Sequence, residues 1–133
     1  MYQDILVPTD GHENTERAIG EAVALADEHG ATLHALYVVN SAAIAPGVDF
    51  DDLRRVGRQA VDHVADLAGE RGVERVERTV THGLRHEAIL TYAEEHGIDL
   101  IVMGRHRELD HFLRGSVSDR VSKGASAPVL IVE

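Results

Sequence analysis

The chain has 133 residues, a formal net charge of −10 and no cysteine. This length supports one domain around a single core, and the acidic surface argues against a nucleic-acid partner. Without cysteine, disulfides, thiolate zinc sites and cysteine nucleophiles are excluded. The apolar runs are too short for a membrane helix and no signal peptide is visible, so we expect a cytoplasmic protein that does not contact a membrane.

Strands and helices alternate along the chain. Short apolar runs predict strands at Asp4–Pro8, Ala31–Val39, Val73–His82, Ile98–Met103 and Pro128–Val132. Apolar residues at helical spacing predict helices at Thr15–His29, Asp51–Arg71 and His86–His96, and a fourth helix that starts at Ser116. The third strand alternates apolar and charged residues, which indicates an edge position, whereas the fourth is almost wholly apolar and should lie centrally.

The second helix shows how the core is predicted. Its apolar residues recur three or four positions apart, so they should point inward: Leu53, Val56, Ala60, Val64 and Leu67. Gly57 lies among them and costs about 1 kcal/mol relative to alanine. We therefore expect modest local stability around this glycine.

This order of elements predicts a doubly wound α/β fold. Right-handed crossovers make the sheet parallel and place helices on both of its faces. We predict five strands in the order 3-2-1-4-5, with strand one central and strands two and four beside it. Ligands of such sheets bind beyond the C-terminal ends of the strands, where the strand order reverses. The loops after strands one and four therefore flank the predicted crevice.

Those two loops carry residues suited to binding a small molecule. The first strand is followed by Pro8-Thr9-Asp10-Gly11, and the fourth by Gly104-Arg105-His106. The Asp10 carboxylate is suited to accept hydrogen bonds from a ribose hydroxyl or to hold a metal-bound water. Gly104 has no side chain, which lets backbone approach a phosphate closely.

The start of the fourth helix is a candidate anion site. Ser116 at the N-cap and Asp119 three residues later fit a capping pattern. Unbonded N–H groups at a helix N-terminus bind phosphate. The alternative interpretation is that Gly115-Ser116 only starts a helix, since Asp119 brings negative charge to the same helix end.

Two common catalytic motifs are absent from the sequence. There is no GxSxG elbow, and the single lysine, Lys123, lies in the last helix rather than in a Walker A loop. His106, Asp110 and His111 could bind a metal, although their spacing is not a recognised ligand pattern. We interpret the chain as a binding protein. A slow phosphatase or ATPase that uses Asp10 and a divalent metal is the less favoured alternative.

Two stretches of the sequence resemble the universal stress protein family. The first is Ile5-Leu6-Val7-Pro8-Thr9-Asp10-Gly11, with Thr15 and Ala18 after it. The second runs from Asp99 to Val132 and includes Gly104-Arg105-His106, Gly115-Ser116-Val117-Ser118 and Pro128-Val129-Leu130-Ile131-Val132. In element order the resemblance covers nearly the whole chain.

The resemblance implies a five-stranded parallel sheet, a homodimer, and in one branch of the family ATP binding through a G-x2-G-x9-G-(S/T) loop. Carried over to this sequence, Asp10 would face the ribose, and Val38, at the end of the second strand, would contact adenine through its backbone. Met103 and Gly104 would line the crevice. The phosphates would meet Gly115, Ser116 and Val117. The implied cofactor is ATP or AMP, with magnesium only beside ATP.

The phosphate loop departs from that pattern. Arg107 occupies the second glycine position, and seven residues rather than nine separate it from Gly115. If this position requires a positive φ, arginine costs about 1–2 kcal/mol there. Alternatively, Arg105 and Arg107 supply charge-assisted contacts in place of backbone ones. The nucleoside half of the site, Asp10 with Val38, matches the family.

Two functions follow as hypotheses. The first is a dimeric, cytoplasmic, adenine-nucleotide-binding stress protein that acts as a sensor, and the alternative is a dimeric interaction module that binds no nucleotide.

The last strand is the predicted dimer interface. Val129–Val132 is apolar at four successive positions, and we expect no following element to cover its outer edge. Antiparallel pairing with the same strand of a second subunit would satisfy its open N–H and C=O groups.

Overall fold

The structure is a computed structural model that describes residues 1–41, 46–105 and 116–133. The strands within these residues are β1 (Asp4–Pro8), β2 (Thr32–Asn40), β3 (Val76–Gly83), β4 (Leu100–Gly104) and β5 (Val129–Val132). A 3-10 turn (Glu13–Thr15) precedes the first of the helices, which are α1 (Glu16–His29), α2 (Phe50–Arg71), α3 (Arg85–Glu95) and α4 (Val117–Gly124).

The strands form one parallel sheet in the order β3-β2-β1-β4-β5, which confirms the predicted fold class. Pro8 at the end of β1 lies opposite Leu36 of β2, and Leu6 lies opposite Ile101 of β4. The sheet has β3 at one edge and β4 between β1 and β5, as their apolar patterns predicted. The C-terminal ends of β1 and β4 are therefore neighbours at the point where the strand order reverses.

Each face of the sheet is covered by a different pair of helices. One core contains alternate residues of the strands, such as Ile5 and Val7, packed with α1 and α2. The other contains the residues between them, such as Leu6 and Ile101, packed with α3 and α4. This division follows from the two-residue period of a strand. Within the described ranges, no helix is long and apolar enough to cross a membrane.

Helix α2 differs from its predicted burial at one point. Val56 is 47% exposed, so its predicted inward position is wrong. The buried face of α2 instead runs through Gly57, Ala60, Val61, Val64 and Ala68. A Cβ at Gly57 would lie 2.7 Å from Cδ1 of Tyr37 and 2.9 Å from Cγ1 of Val80. The Gly57 face of the helix therefore packs closely against the sheet, and the neighbouring Val56 points outward.

Candidate functional site

The loop after β1 is held in a compact turn against the start of α1. The Thr9 N–H donates to the Leu36 carbonyl at 2.9 Å and extends the β1–β2 ladder by one bond. The Thr9 hydroxyl is buried, accepts from the Gly11 N–H at 3.1 Å and lies 3.3 Å from the Thr15 hydroxyl. Gly11 has φ +78, a conformation that favours glycine. The turn therefore places Asp10 directly beyond the end of the central strand.

The Asp10 carboxylate organises this loop. Its Oδ1 accepts from the His12 N–H at 2.8 Å, and its Oδ2 accepts from Asn14 Nδ2 at 3.3 Å. The bond to the residue two positions on is an Asx turn, which explains why aspartate occupies this position. A carboxylate oxygen can accept more than one hydrogen bond. Holding the loop and binding a ligand hydroxyl are therefore compatible roles for the same side chain.

Gly104, at the end of β4, lies close to the loop after β1. A Cβ at this position would lie 3.1 Å from the Asn14 carbonyl oxygen and 3.4 Å from the Thr15 Cα. The close backbone approach that the sequence suggested for a phosphate is thus made by the β1–α1 loop itself. A side chain here would require the neighbouring loop to shift by a few tenths of an ångström, so Gly104 favours the close approach of the two loops that flank the crevice.

Val38 lies two residues before the end of β2, because the strand continues to Asn40 rather than ending at Val38. Its side chain is buried in the core on the α3 and α4 face together with Met103, and Val117 packs against the same core. Backbone groups of alternate residues in a strand point to the same side. Since the Leu36 carbonyl accepts from Thr9, which directly follows β1, the Val38 N–H and C=O also face the β1 side.

Helix α4 begins as the capping pattern predicted. The Ser116 hydroxyl accepts from the Asp119 N–H at 3.2 Å and lies 3.2 Å from the buried Ser118 hydroxyl. The predicted N-cap at Ser116 is therefore confirmed. The Ser116 hydroxyl acts as an acceptor in this bond, and the first turn of a helix also presents backbone N–H groups to a ligand.

The remaining predicted residues divide into those the structure describes and those it does not. Pro8 is half-buried at the end of β1. The Arg105 N–H donates to the Val132 carbonyl at 3.1 Å, and its guanidinium lies 3.8 Å from a Glu133 carboxylate oxygen. Outside the described residues lie His106, Arg107 and Gly115, as do Asp110 and His111 of the metal alternative. Across the described ranges, no three His, Asp or Glu side chains are grouped to hold a metal.

Sequence reasoning missed a buried polar network on the α3 and α4 face of the sheet. The His34 ring is 4% exposed, with Nδ1 2.8 Å from the Tyr92 hydroxyl and Nε2 2.9 Å from Asp4 Oδ1. Burial raises the pKa of the Tyr92 hydroxyl above its ordinary value of 10.0, while a hydrogen bond with Thr79 opposes that rise. The available signal was a histidine in the middle of an otherwise apolar strand.

Proteins with similar sequences identify the family of this chain. The sequence model of the universal stress protein family matches residues 1–133. The chain belongs to this family. This member of the universal stress protein family is 33% identical to "Universal stress protein MJ0531" of Methanocaldococcus jannaschii, over 100% of this chain and 83% of that protein.

Two solved structures extend the comparison to three dimensions. The structure of MJ0577, another universal stress protein of M. jannaschii, superposes with a TM-score of 0.85 at 29% identity, covering 99% of this chain and 96% of that one. A universal stress protein crystallised in complex with cAMP superposes with a TM-score of 0.83 at 25% identity, covering 99% and 97% of the two chains. The fold and the family of this universal stress protein are therefore shown by both sequence and structure.

Proposed function

We propose that this universal stress protein binds an adenine nucleotide, ATP or AMP, at the C-terminal ends of β1 and β4, and acts in the stress response. The observation that carries the proposal is the preformed β1–α1 loop, which Asp10 and Gly104 fix at the point of strand-order reversal. Such points are where open α/β sheets bind nucleotides. The cAMP complex of a relative supports the adenine class of ligand.

Each part of the nucleotide has a candidate partner in this proposal. The Asp10 carboxylate accepts from a ribose hydroxyl, and the Val38 backbone bonds the adenine edge from the neighbouring strand. Pro8, Thr9, Met103 and Gly104 form the surrounding wall. The phosphates lie toward the α4 N-terminus at Gly115, Ser116 and Val117, where Arg105, His106 and Arg107 offset their charge. Magnesium accompanies ATP only.

Isothermal titration calorimetry with ATP and with AMP tests the site. Asp10→Asn keeps the size of the side chain and one acceptor oxygen but removes the charge. A hydrogen bond to a charged group contributes about 1.5–3 kcal/mol, and the neutral asparagine keeps part of that contribution through its remaining oxygen. We therefore expect about tenfold weaker binding. Asp66→Asn is the matched control, because Asp66 is an exposed carboxylate of α2. Equal affinity in the wild-type protein and Asp10→Asn would overturn this placement of the ribose.

We further propose that residues 1–133 form a single domain, that the protein is cytoplasmic, and that two copies pair through β5 as a homodimer. The exposure of Leu130 supports the proposed dimer, since this side chain is 40% exposed in the edge strand β5. An uncovered apolar edge strand favours pairing with another chain. Two β5 strands pairing antiparallel would give a two-fold interface.

A second candidate function is a dimeric interaction module that binds no nucleotide. Asp10 already accepts hydrogen bonds from its own loop, so the loop is complete without a ligand. Arg107 at a glycine position of the family pattern favours the same alternative. Absence of heat with both ATP and AMP in calorimetry, with a dimer retained, would favour this function.

A further inference from the structure

A groove between β3 and α3 lies at the edge of the sheet, one strand from Val38 of the proposed nucleotide site. It has a volume of about 400 Å³, which is the size range of small-molecule sites. One wall is the edge strand β3, with Thr79 and Thr81, and the other is α3. Tyr92 also lines the groove. Two strands, β2 and β1, separate it from β4 in the sheet.

Two glutamates of α3 line the same wall of the groove. Glu87, Thr91 and Glu95 all line the groove and recur every four residues, which places them on one face of the helix. At a rise of 1.5 Å per residue, the two glutamates are about 12 Å apart along the helix axis. Both are exposed, and neither forms a hydrogen bond or ion pair with any other residue that the structure describes. A cationic ligand would therefore displace no existing ion pair.

The charges around the groove favour a cation. The residues described as lining it include two glutamates and two histidines, His82 and His96, but no lysine or arginine. The neighbouring Arg78 of β3 does not face the groove, because its guanidinium bonds Asp62 of α2 at 2.9 Å. The chain carries a net charge of −10, which adds a negative field over the whole surface. A phosphate-bearing ligand is repelled here, in contrast to the proposed site at β1 and β4.

We propose that this groove binds a linear aliphatic polyamine. One terminal ammonium group lies against Glu87 and the other against Glu95, while the methylene chain runs along the helix between them. The hydroxyls of Thr79, Thr81 and Thr91 accept from amine N–H groups along the way. A single metal ion is disfavoured, since the two glutamates lie about 12 Å apart along the helix axis, whereas both carboxylates would have to reach one ion at about 2.3–2.6 Å.

Titration with spermidine, followed by amide NMR spectra at fixed ionic strength, tests the proposal. We expect saturable shifts at amides of β3 and α3. Glu87→Gln and Glu95→Gln each weaken binding by about two- to fivefold, the range for an exposed ion pair. The matched control is Glu94→Gln, which removes the same charge from an exposed residue of α3 that is not among the groove's lining residues.

Two further ligands distinguish a fitted groove from general attraction to an acidic protein. Putrescine is too short to reach both glutamates, so we expect it to bind more weakly than spermidine. Each glutamine substitution should also reduce the affinity for putrescine less than the affinity for spermidine. Trilysine carries several ammonium groups on a bulkier backbone and should bind more weakly than spermidine. The proposal is overturned if Glu94→Gln weakens spermidine binding as much as Glu87→Gln does, or if trilysine binds as tightly as spermidine. Failure here leaves the nucleotide proposal untouched, because it concerns other residues and an anionic ligand.

Discussion

Replacing Gly57 with alanine tests how closely α2 approaches the sheet. The new methyl group would lie 2.7 Å from Tyr37 Cδ1 and 2.9 Å from Val80 Cγ1. The Tyr37 ring is 9% exposed, so it has little room to move. Overpacking of this kind costs about 1–3 kcal/mol, whereas alanine gains about 1 kcal/mol over glycine in a helix. The net change in unfolding free energy should lie between about zero and 2 kcal/mol of destabilisation.

Gly69→Ala isolates the packing term. Gly69 lies in the same helix, and a Cβ there meets no atom within 4 Å. This variant should be stabilised by about 1 kcal/mol, so the two alanine variants should differ by about 1–3 kcal/mol, the cost of overpacking alone. Urea unfolding followed by circular dichroism measures both. Equal stabilisation by the two substitutions would refute the close contact of α2 with Tyr37.

Three further predictions concern other parts of the fold. Replacing Leu130 and Val132 with lysine should convert a dimer to monomers or insoluble protein, because it charges the β5 edge; a stable dimer in light scattering would place the interface elsewhere. Ser116→Ala should cost about 1 kcal/mol in urea unfolding through loss of the N-cap, and an unchanged midpoint would contradict the cap. Because the pKa of Tyr92 is raised in the folded state, stability should fall as pH rises above 10.0, when the unfolded chain ionises first. Tyr92→Phe should reduce that loss, and identical pH profiles would contradict it.

The fold was predictable because its main signals are local. The apolar run at β4 and the alternation at β3 fixed which strand lies inside the sheet and which lies at its edge, and the structure has both as predicted. The N-cap at Ser116 depends only on the residues that follow it, so it too could be predicted.

Features that depend on contacts between distant segments could not be predicted. From the sequence, Gly57 is expected to lower the local stability of α2, but the structure shows that a Cβ there would overlap Tyr37 and Val80, twenty or more positions away. The sequence likewise does not predict that Gly104 approaches the Asn14 carbonyl, which lies ninety positions earlier in the chain. The buried role of His34 could not be predicted, because its partners, Asp4 and Tyr92, come together only in the folded sheet.

The central claim is that an adenine nucleotide binds at the ends of β1 and β4. Its most direct test is a competition: the protein is incubated with an equimolar mixture of ATP, AMP, GTP and CTP, desalted and denatured, and the released ligand is identified by mass spectrometry. We predict that adenine nucleotides are recovered in excess from the wild-type protein and are depleted from Asp10→Asn. Recovery of no nucleotide, or of guanine and cytosine nucleotides in equal amounts, would contradict the account.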